Sequence, residues 1–274
     1  MQTNARPLFS VSNAEKEQRA AFLFFRAAYN GSMGNVFGRN AGRSPFAVFS
    51  EGFVDWSFIA AHIPDYLGGA WITLRFGLYG VFCSLALGLF CCLARYFRVP
   101  VLRQAAACYI ELARNTPLLV QLFFLYAGLP RVGIRFSAEA CAVIGLTFLG
   151  GAYMAEAFRS GLEAVEPSQV EAGACIGLTR AQNIRYVIFP QALATAVPAL
   201  FANVIFLIKE TSVFSVLAMM DLMNVADTLR TGGGRTVEVL FMLVAAYLLI
   251  LLPVSVLATV VERRLRYAGF GRAA

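Results

Sequence analysis

"VEAGACIGLTRAQNIRYVIFPQAL", Val170 to Leu193, sets Glu171, Thr179, Arg180, Gln182, Asn183 and Arg185 between two long apolar stretches. The rest of the chain is poor in charge. Of its 274 residues 59% are hydrophobic and 14% charged, and mean hydropathy is +0.66. A soluble domain carries about a quarter charged residues, so lipid is the solvent here. The apolar residues fall in runs of about 20, the length that crosses a bilayer. A polar segment of this length between two such runs stays in water, and its pattern has to say why.

Five runs surround it. The first spans Gly69 to Ala94 and ends at Arg95, Arg98 and Arg103 with no acid among them. The second spans Val101 to Leu129. There Pro117 disfavours helix at Thr116 yet can open a new turn, which predicts a kink or restart at Thr116-Pro117. The third spans Ala138 to Leu162, the fourth Val187 to Ile208 and the fifth Val237 to Val261. Alternating them puts Arg95, Arg98, Arg103, Arg159, Arg180, Arg185, Arg263, Arg264, Arg266 and Arg272 on one side. The opposite side holds Arg131, Arg135, Lys209, Arg230 and Arg235. Cytoplasmic loops collect Lys and Arg, so Val170–Leu193 and the C-terminus are assigned to the cytoplasm. The net charge of +7 is read as topology, not as affinity for nucleic acid.

Residues 1–64 form an N-terminal extension. "AAFLFFRAAYNG" (Ala20 to Gly31) is too short to span and is interrupted by Arg26, which favours an interfacial helix. If the basic tail is cytoplasmic, one more crossing is needed before Gly69; that alternative stays open. The N-terminus lacks the order of a signal peptide, leaving insertion to the spans. The expected fold is an all-α membrane protein with about five core transmembrane helices in residues 65–268, a cytoplasmic loop at 166–186 and a tail at 269–274.

Within that loop the pattern is a short amphipathic helix, a glycine and a second helix. Gly177 allows the change of direction, and Thr179 stands as the next N-cap. An apolar face made of Ala172 and Ile176 can be buried in a groove on a soluble partner. Glu171-Ala172-Gly173, Gly177 and Ile188-Phe189-Pro190 resemble the EAA loop of importer-type ABC transporter permeases. "YIELARNTPLLVQLFFLYAGLP" (Tyr109 to Pro130), "AYMAEAFRSGLEAV" (Ala152 to Val165) and "LIKETSVFSVL" (Leu207 to Leu217) resemble segments of the polar amino acid uptake branch. The resemblance implies a multi-pass subunit in the bacterial inner membrane, a second permease subunit (the same chain or a homologue) and ABC ATPase subunits docked on the EAA loop. It also implies an extracytoplasmic solute-binding protein and an amino acid substrate. Gly173 departs from the family's usual alanine, which would loosen that helix by roughly 1 kcal/mol.

Ionisable residues at bilayer depth suggest function by default. Glu111 and Arg114, and Glu156 and Arg159, are spaced to form internal ion pairs. Glu156 lies one turn after Tyr153 on much the same face, where it could meet a substrate ammonium. Gln121 and Asn203 lie deep in their spans and either line a path or hydrogen-bond between helices. Lys209, Glu210, Thr211 and Ser212 end the fourth span on the outer side, where they could line or gate a pathway. "DTLRTGGGRTVE" (Asp227 to Glu238) reads as a flexible outer connector.

What is missing narrows the classes. A phosphate-binding G-x-x-x-x-G-K-[ST] needs a lysine after glycine. The only lysines are Lys16 and Lys209, so ATP has to be bound by a partner subunit and this chain needs no cofactor. One histidine, His62, and six cysteines without CxxC spacing leave neither a metal site nor a catalytic residue to assign. The rival reading is a proton-coupled secondary transporter using Glu156. Five spans leave no room for paired inverted repeats, and such a carrier needs no polar docking loop.

Overall fold

A computed structural model describes residues 55–233 and 235–265. The expected interfacial helix at Ala20–Gly31, Arg266, Arg272 and the tail 269–274 lie outside the described residues, among which every regular element is helical. Helix α1, Trp56–Tyr96, has 41 residues. At 1.5 Å per residue it is about 60 Å long, twice the hydrocarbon thickness. It starts well before Gly69 because His62, Pro64 and Asp65 lower the local hydropathy without breaking the helix.

The second run is not one helix. It is α2, Pro100–Arg114, then α3, Leu118–Phe123, extended through a π turn Phe124–Gly128 and a 3-10 turn Leu129–Val132. The break falls at Asn115-Thr116-Pro117, where the sequence placed it. Lipid offers no water to the carbonyls that a break frees, so side chains take them. Asn115 Nδ2 donates to Glu111 O, Thr116 Oγ1 to Leu112 O, and Gln121 Nε2 to Thr116 O and Ala113 O.

Helix α4, Ala138–Glu163, opens on a Ser137 cap. It runs parallel to α1, because Arg95 and Glu156 meet near the C-terminal ends of both helices. The chain between them must therefore cross back, which the two pieces α2 and α3 do. The α1–α4 contact is made by small residues that let backbones approach, as bilayer packing requires. A Cβ on Gly88 would stand 2.5 Å from Met154 Cβ and 2.8 Å from Ala155 N.

After α4 come α5, Pro167–Cys175, and α6, Arg180–Asn183. A π turn Ile184–Ile188 leads into α7, Phe189–Glu210, which ends in a 3-10 turn Thr211–Leu217. Pro190 has no N–H to give the preceding turn, and the widened π turn absorbs that loss. Helix α8, Leu222–Gly233, and α9, Thr236–Leu265, complete the set. Four of these stretches are long and apolar enough to cross a membrane: α1, α4, the run Arg180–Leu217 and α9.

Helix α8 overturns the flexible connector. Leu222, Val225 and Ala226 are buried, with Leu229 packed beside them, against Tyr66 and Val239. That i, i+3, i+4, i+7 stripe outweighs the poor helix propensity of the glycines at its end. Asp221, fully buried between the spans, caps α8 by accepting from Asn224 N. Burial pushes its carboxyl up from 3.8 to about 6. The native state thus binds the proton more tightly than the unfolded chain, so stability falls as pH rises from about 4 to 6 and the deficit persists above. Two pH units correspond to about 3 kcal/mol. Asn caps as well as Asp, so Asp221→Asn is expected to raise the melting temperature at pH 8, with the gain vanishing below pH 4. A pH-independent gain, or none, would contradict this account.

Candidate functional site

Two places concentrate polar chemistry: the loop between α4 and α7, and the middle of the helix packing around Tyr153.

The loop is built by local rules. Helix α5 ends with Ile176 as C-cap and Gly177 at φ +85°. Leu178 N donates to Gly173 O and Gly177 N to Ala174 O, the paired bonds of a Schellman motif. Thr179 then caps α6 in a full capping box with Gln182. The turn from Gly173 to Gln182 is thereby pinned at both ends by short-range bonds. Gly173 does not act as the sequence suggested. It is the one buried residue of α5, and a Cβ there would stand 2.6 Å from Asn183 Oδ1. Asn183 Nδ2 donates to Val170 O at 2.7 Å. The glycine leaves room for Asn183 to tie α5 to α6, so it tightens the loop instead of loosening it. The sequence around Asn183 gives it no role, because nothing local to it shows what lies thirteen residues back.

The same frame leaves an outward face. Glu171 and Ala172 are exposed, and Ile176 is 78% exposed. Ile188 is buried and Pro190 half-buried, where α7 joins the helix packing. An isoleucine held in water by two capping motifs is a knob without a hole within the chain.

The intramembrane residues sort differently from their spacing. Glu156 Oε1 accepts from Arg95 Nη1 at 2.7 Å, and its Oε2 accepts from Arg159 Nη2 at 2.6 Å and Nε at 2.9 Å. Arg159 also reaches Glu163. The i, i+3 pair is therefore real but belongs to a four-residue cluster joining α1 to α4, and Arg95, read only for topology, is its missing member. Glu111 and Arg114 do the opposite. They form no ion pair with each other. Instead Arg114 Cζ stands 5.5 Å from the Tyr153 ring centre, a cation–π distance. Among the described residues, Glu111 keeps an exposed carboxylate whose Oε2 accepts only from Asn115 Nδ2. Tyr153 also packs on Phe206, and Asn203 Nδ2 donates to Tyr153 O at 3.1 Å.

Gln121 is buried at the α2–α3 break. Thr211 is fully buried and donates to Ile208 O, whereas Lys209 is exposed and Glu210 half-buried at the C-terminal end of α7. The structure thus brings Arg114, Tyr153 and Asn203 together and leaves Gln121, Glu156 and Lys209–Thr211 elsewhere. Tyr153 lies ten residues, about 15 Å, from the Glu163 end of α4, near mid-membrane.

The comparison with known families decides which one this loop and helix order belong to. Residues 84–267 match the family described as the binding-protein-dependent transport system inner membrane component. The chain belongs to this family. It is an ABC importer permease, a transport subunit. The glutamine transport system permease protein GlnP of Escherichia coli (strain K12) is 34% identical over 214 residues, covering 77% of this chain and 98% of that one. The probable amino-acid permease protein YxeN of Bacillus subtilis (strain 168) is 33% identical over 213 residues, covering 77% and 95%. A crystal structure of an amino acid ABC transporter with histidines superposes with a TM-score of 0.72 at 35% identity, covering 77% of this chain and 99% of that one. The inward-facing MetNI methionine transporter shares the fold, with a TM-score of 0.63 at 18% identity.

Proposed function

We propose that this permease imports a polar amino acid across the bacterial inner membrane, driven by separate ATPase subunits that dock on residues 166–186. The observation that carries the docking is Ile176, 78% exposed at the end of a helix fixed by a Schellman motif and a capping box. A helix so held transmits a push from a partner's groove to α7 without first losing it to fraying. The missing phosphate-binding motif makes that partner necessary for ATP-driven work. Ile176→Asp is expected to leave the subunit inserted and to remove an ATPase from the purified complex. Wild-type amounts of ATPase co-purifying with the variant would sink the docking reading.

The substrate class rests on Glu111 and Arg114. Both are exposed on α2 and unpaired with each other, and Arg114 stands against a tyrosine near mid-membrane. Charged side chains there face a water-filled path or another subunit, not lipid. Their exposure thus supports a second permease subunit, the same chain or a homologue, closing a path between the two. A zwitterion fits the pair: a guanidinium for its carboxylate and an acid for its ammonium, each contact charge-assisted. Tyr153 and Asn203 complete that wall, with Lys209 and Glu210 at its outer mouth, where an extracytoplasmic binding protein would deliver substrate. The homologues named for glutamine and amino acids support the same class. Losing one charge-assisted contact of about 1.5–3 kcal/mol corresponds to tenfold or more in affinity. Arg114→Gln should therefore cut uptake at least tenfold while ATPase subunits still assemble. Uptake within twofold of wild type would reject this site.

The proton-carrier alternative gains nothing from the geometry. A carboxylate paired with two guanidiniums gives up both ion pairs when it takes a proton, and Glu156 is paired in that way.

A further inference from the structure

The arginine-rich end of α1 holds a feature that lies outside the proposed substrate path. A cavity of about 220 Å³ is bounded by Arg95, Arg98, Arg103 and Arg159, with Cys92 and Glu163 beside them. Four guanidinium groups meet two carboxylates there, Glu156 and Glu163, and both carboxylates are taken up by Arg95 and Arg159. Arg98 and Arg103 have neither hydrogen bond nor ion pair from their side chains among the described residues. The cavity therefore keeps two uncompensated positive charges.

Arg98 also sits where helix stability would not choose it. Its φ is +54°. Arg98 N donates to Arg95 O and Val99 N to Ala94 O, the C-terminal bonding that favours glycine at this position. An arginine kept in left-handed backbone is an outlier that points from strain toward use. The border of the cavity says what the use is. Phe97, Val101 and Leu102 beside it are 60%, 78% and 42% exposed, and Tyr96 is 42% exposed. Aromatic and apolar side chains next to cations at a span end are the setting of a lipid headgroup, where a phosphate meets arginines and acyl chains lie along the apolar rim. A soluble anion would need the cations but not the rim.

We propose that this cavity binds the phosphate of an anionic phospholipid, with Arg98 and Arg103 as its principal ligands. Arginine recognises phosphate through two parallel hydrogen bonds, and Arg95 and Arg159 stay with their carboxylates to position the wall. The site fastens the junction of α1 and α2 to the cytoplasmic leaflet, independently of which solute the permease carries.

The test uses the full chain purified in detergent with whatever subunits accompany it. Melting temperature is followed against dioleoylphosphatidylglycerol, dioleoylphosphatidylcholine or inorganic phosphate at matched phosphate concentration. Retained lipid is counted by native mass spectrometry. Phosphatidylglycerol should stabilise and be retained, and the other two should not match it. Arg98→Gly combined with Arg103→Gln should weaken the phosphatidylglycerol response by about fivefold or more through loss of both charged ligands. Arg98→Gly alone relieves the left-handed strain, so its melting temperature without lipid should equal or exceed wild type while its lipid response falls. That combination separates a lost ligand from a lost fold. Arg131→Gln, at the opposite end of the fold, should change nothing. An equal response to inorganic phosphate, an equal response to phosphatidylcholine, or undiminished phosphatidylglycerol affinity in the double variant would each overturn the proposal.

Discussion

Gly177→Val is expected to leave the subunit inserted and bound to its ATPase partners, and to reduce uptake at least tenfold while ATP hydrolysis continues. The reason is local. Gly177 sits at φ +85°, where a β-branched side chain is a genuine outlier. Left-handed backbone costs a residue with a Cβ roughly 1–2 kcal/mol, and the Schellman motif offers only two hydrogen bonds against it. Arg98 shows that an unbranched side chain can be held in such a turn. The branched valine adds to the cost, so the turn is expected to open and α5 to swing relative to the capped α6. A Cβ at Gly177 would meet nothing within 4 Å, so the core of the fold does not feel the change. Glycine's special backbone, not its lack of bulk, is what the position needs. Gly177→Asn tests that distinction, because Asn enters the left-handed region far more readily than other residues. Uptake should follow the order Gly, Asn, Ala, Val. Coupled uptake at wild-type level in the Val variant would refute a role for this turn in coupling.

How far the sequence could go is clear from which interactions are local. The Schellman turn, the Thr179 cap and the break at Thr116-Pro117 each depend on residues within six positions, and each was legible. The spans were legible for the same reason, since hydropathy is a sum over neighbours. Contacts across the fold were not. Nothing near Glu156 announces Arg95, 61 residues back, and nothing near Gly173 announces Asn183. The i, i+3 spacing suggested two equivalent ion pairs, but tertiary packing distinguished them. Arg95 drew Glu156 and Arg159 into one cluster, while the Tyr153 ring drew Arg114 away from Glu111. Helix α8 shows the reverse error. Three glycines in a row suggested a connector, yet the apolar stripe from Leu222 to Leu229 had a surface waiting for it on α1 and α9.

Glu156→Gln is the second large effect, and its sign separates a clamp from a substrate ligand. Among the described residues Glu156 is the only acid bridging α1 and α4, with its side chain 20% exposed and two guanidiniums on its oxygens. Neutralising it strands Arg95 wholly and Arg159 in part. Removing one partner of a buried pair costs about 3–5 kcal/mol because a charge is left unpaired. Partial exposure and the remaining Glu163 contact reduce that to about 1–3 kcal/mol here. The expected result is a lower melting temperature and a smaller yield of intact complex. Uptake per cell should fall tenfold or more, with uptake per assembled complex much less affected. Arg95→Gln in the same chain removes the charge left wholly stranded, so the double variant should recover stability and uptake together. The double variant should lose less stability than the sum of the two single losses. A substrate ligand behaves otherwise: the single variant would assemble normally with uptake lost, and the second substitution could not restore it. Normal yield and stability with uptake lost in both variants would return Glu156 to the pathway and remove it from the clamp.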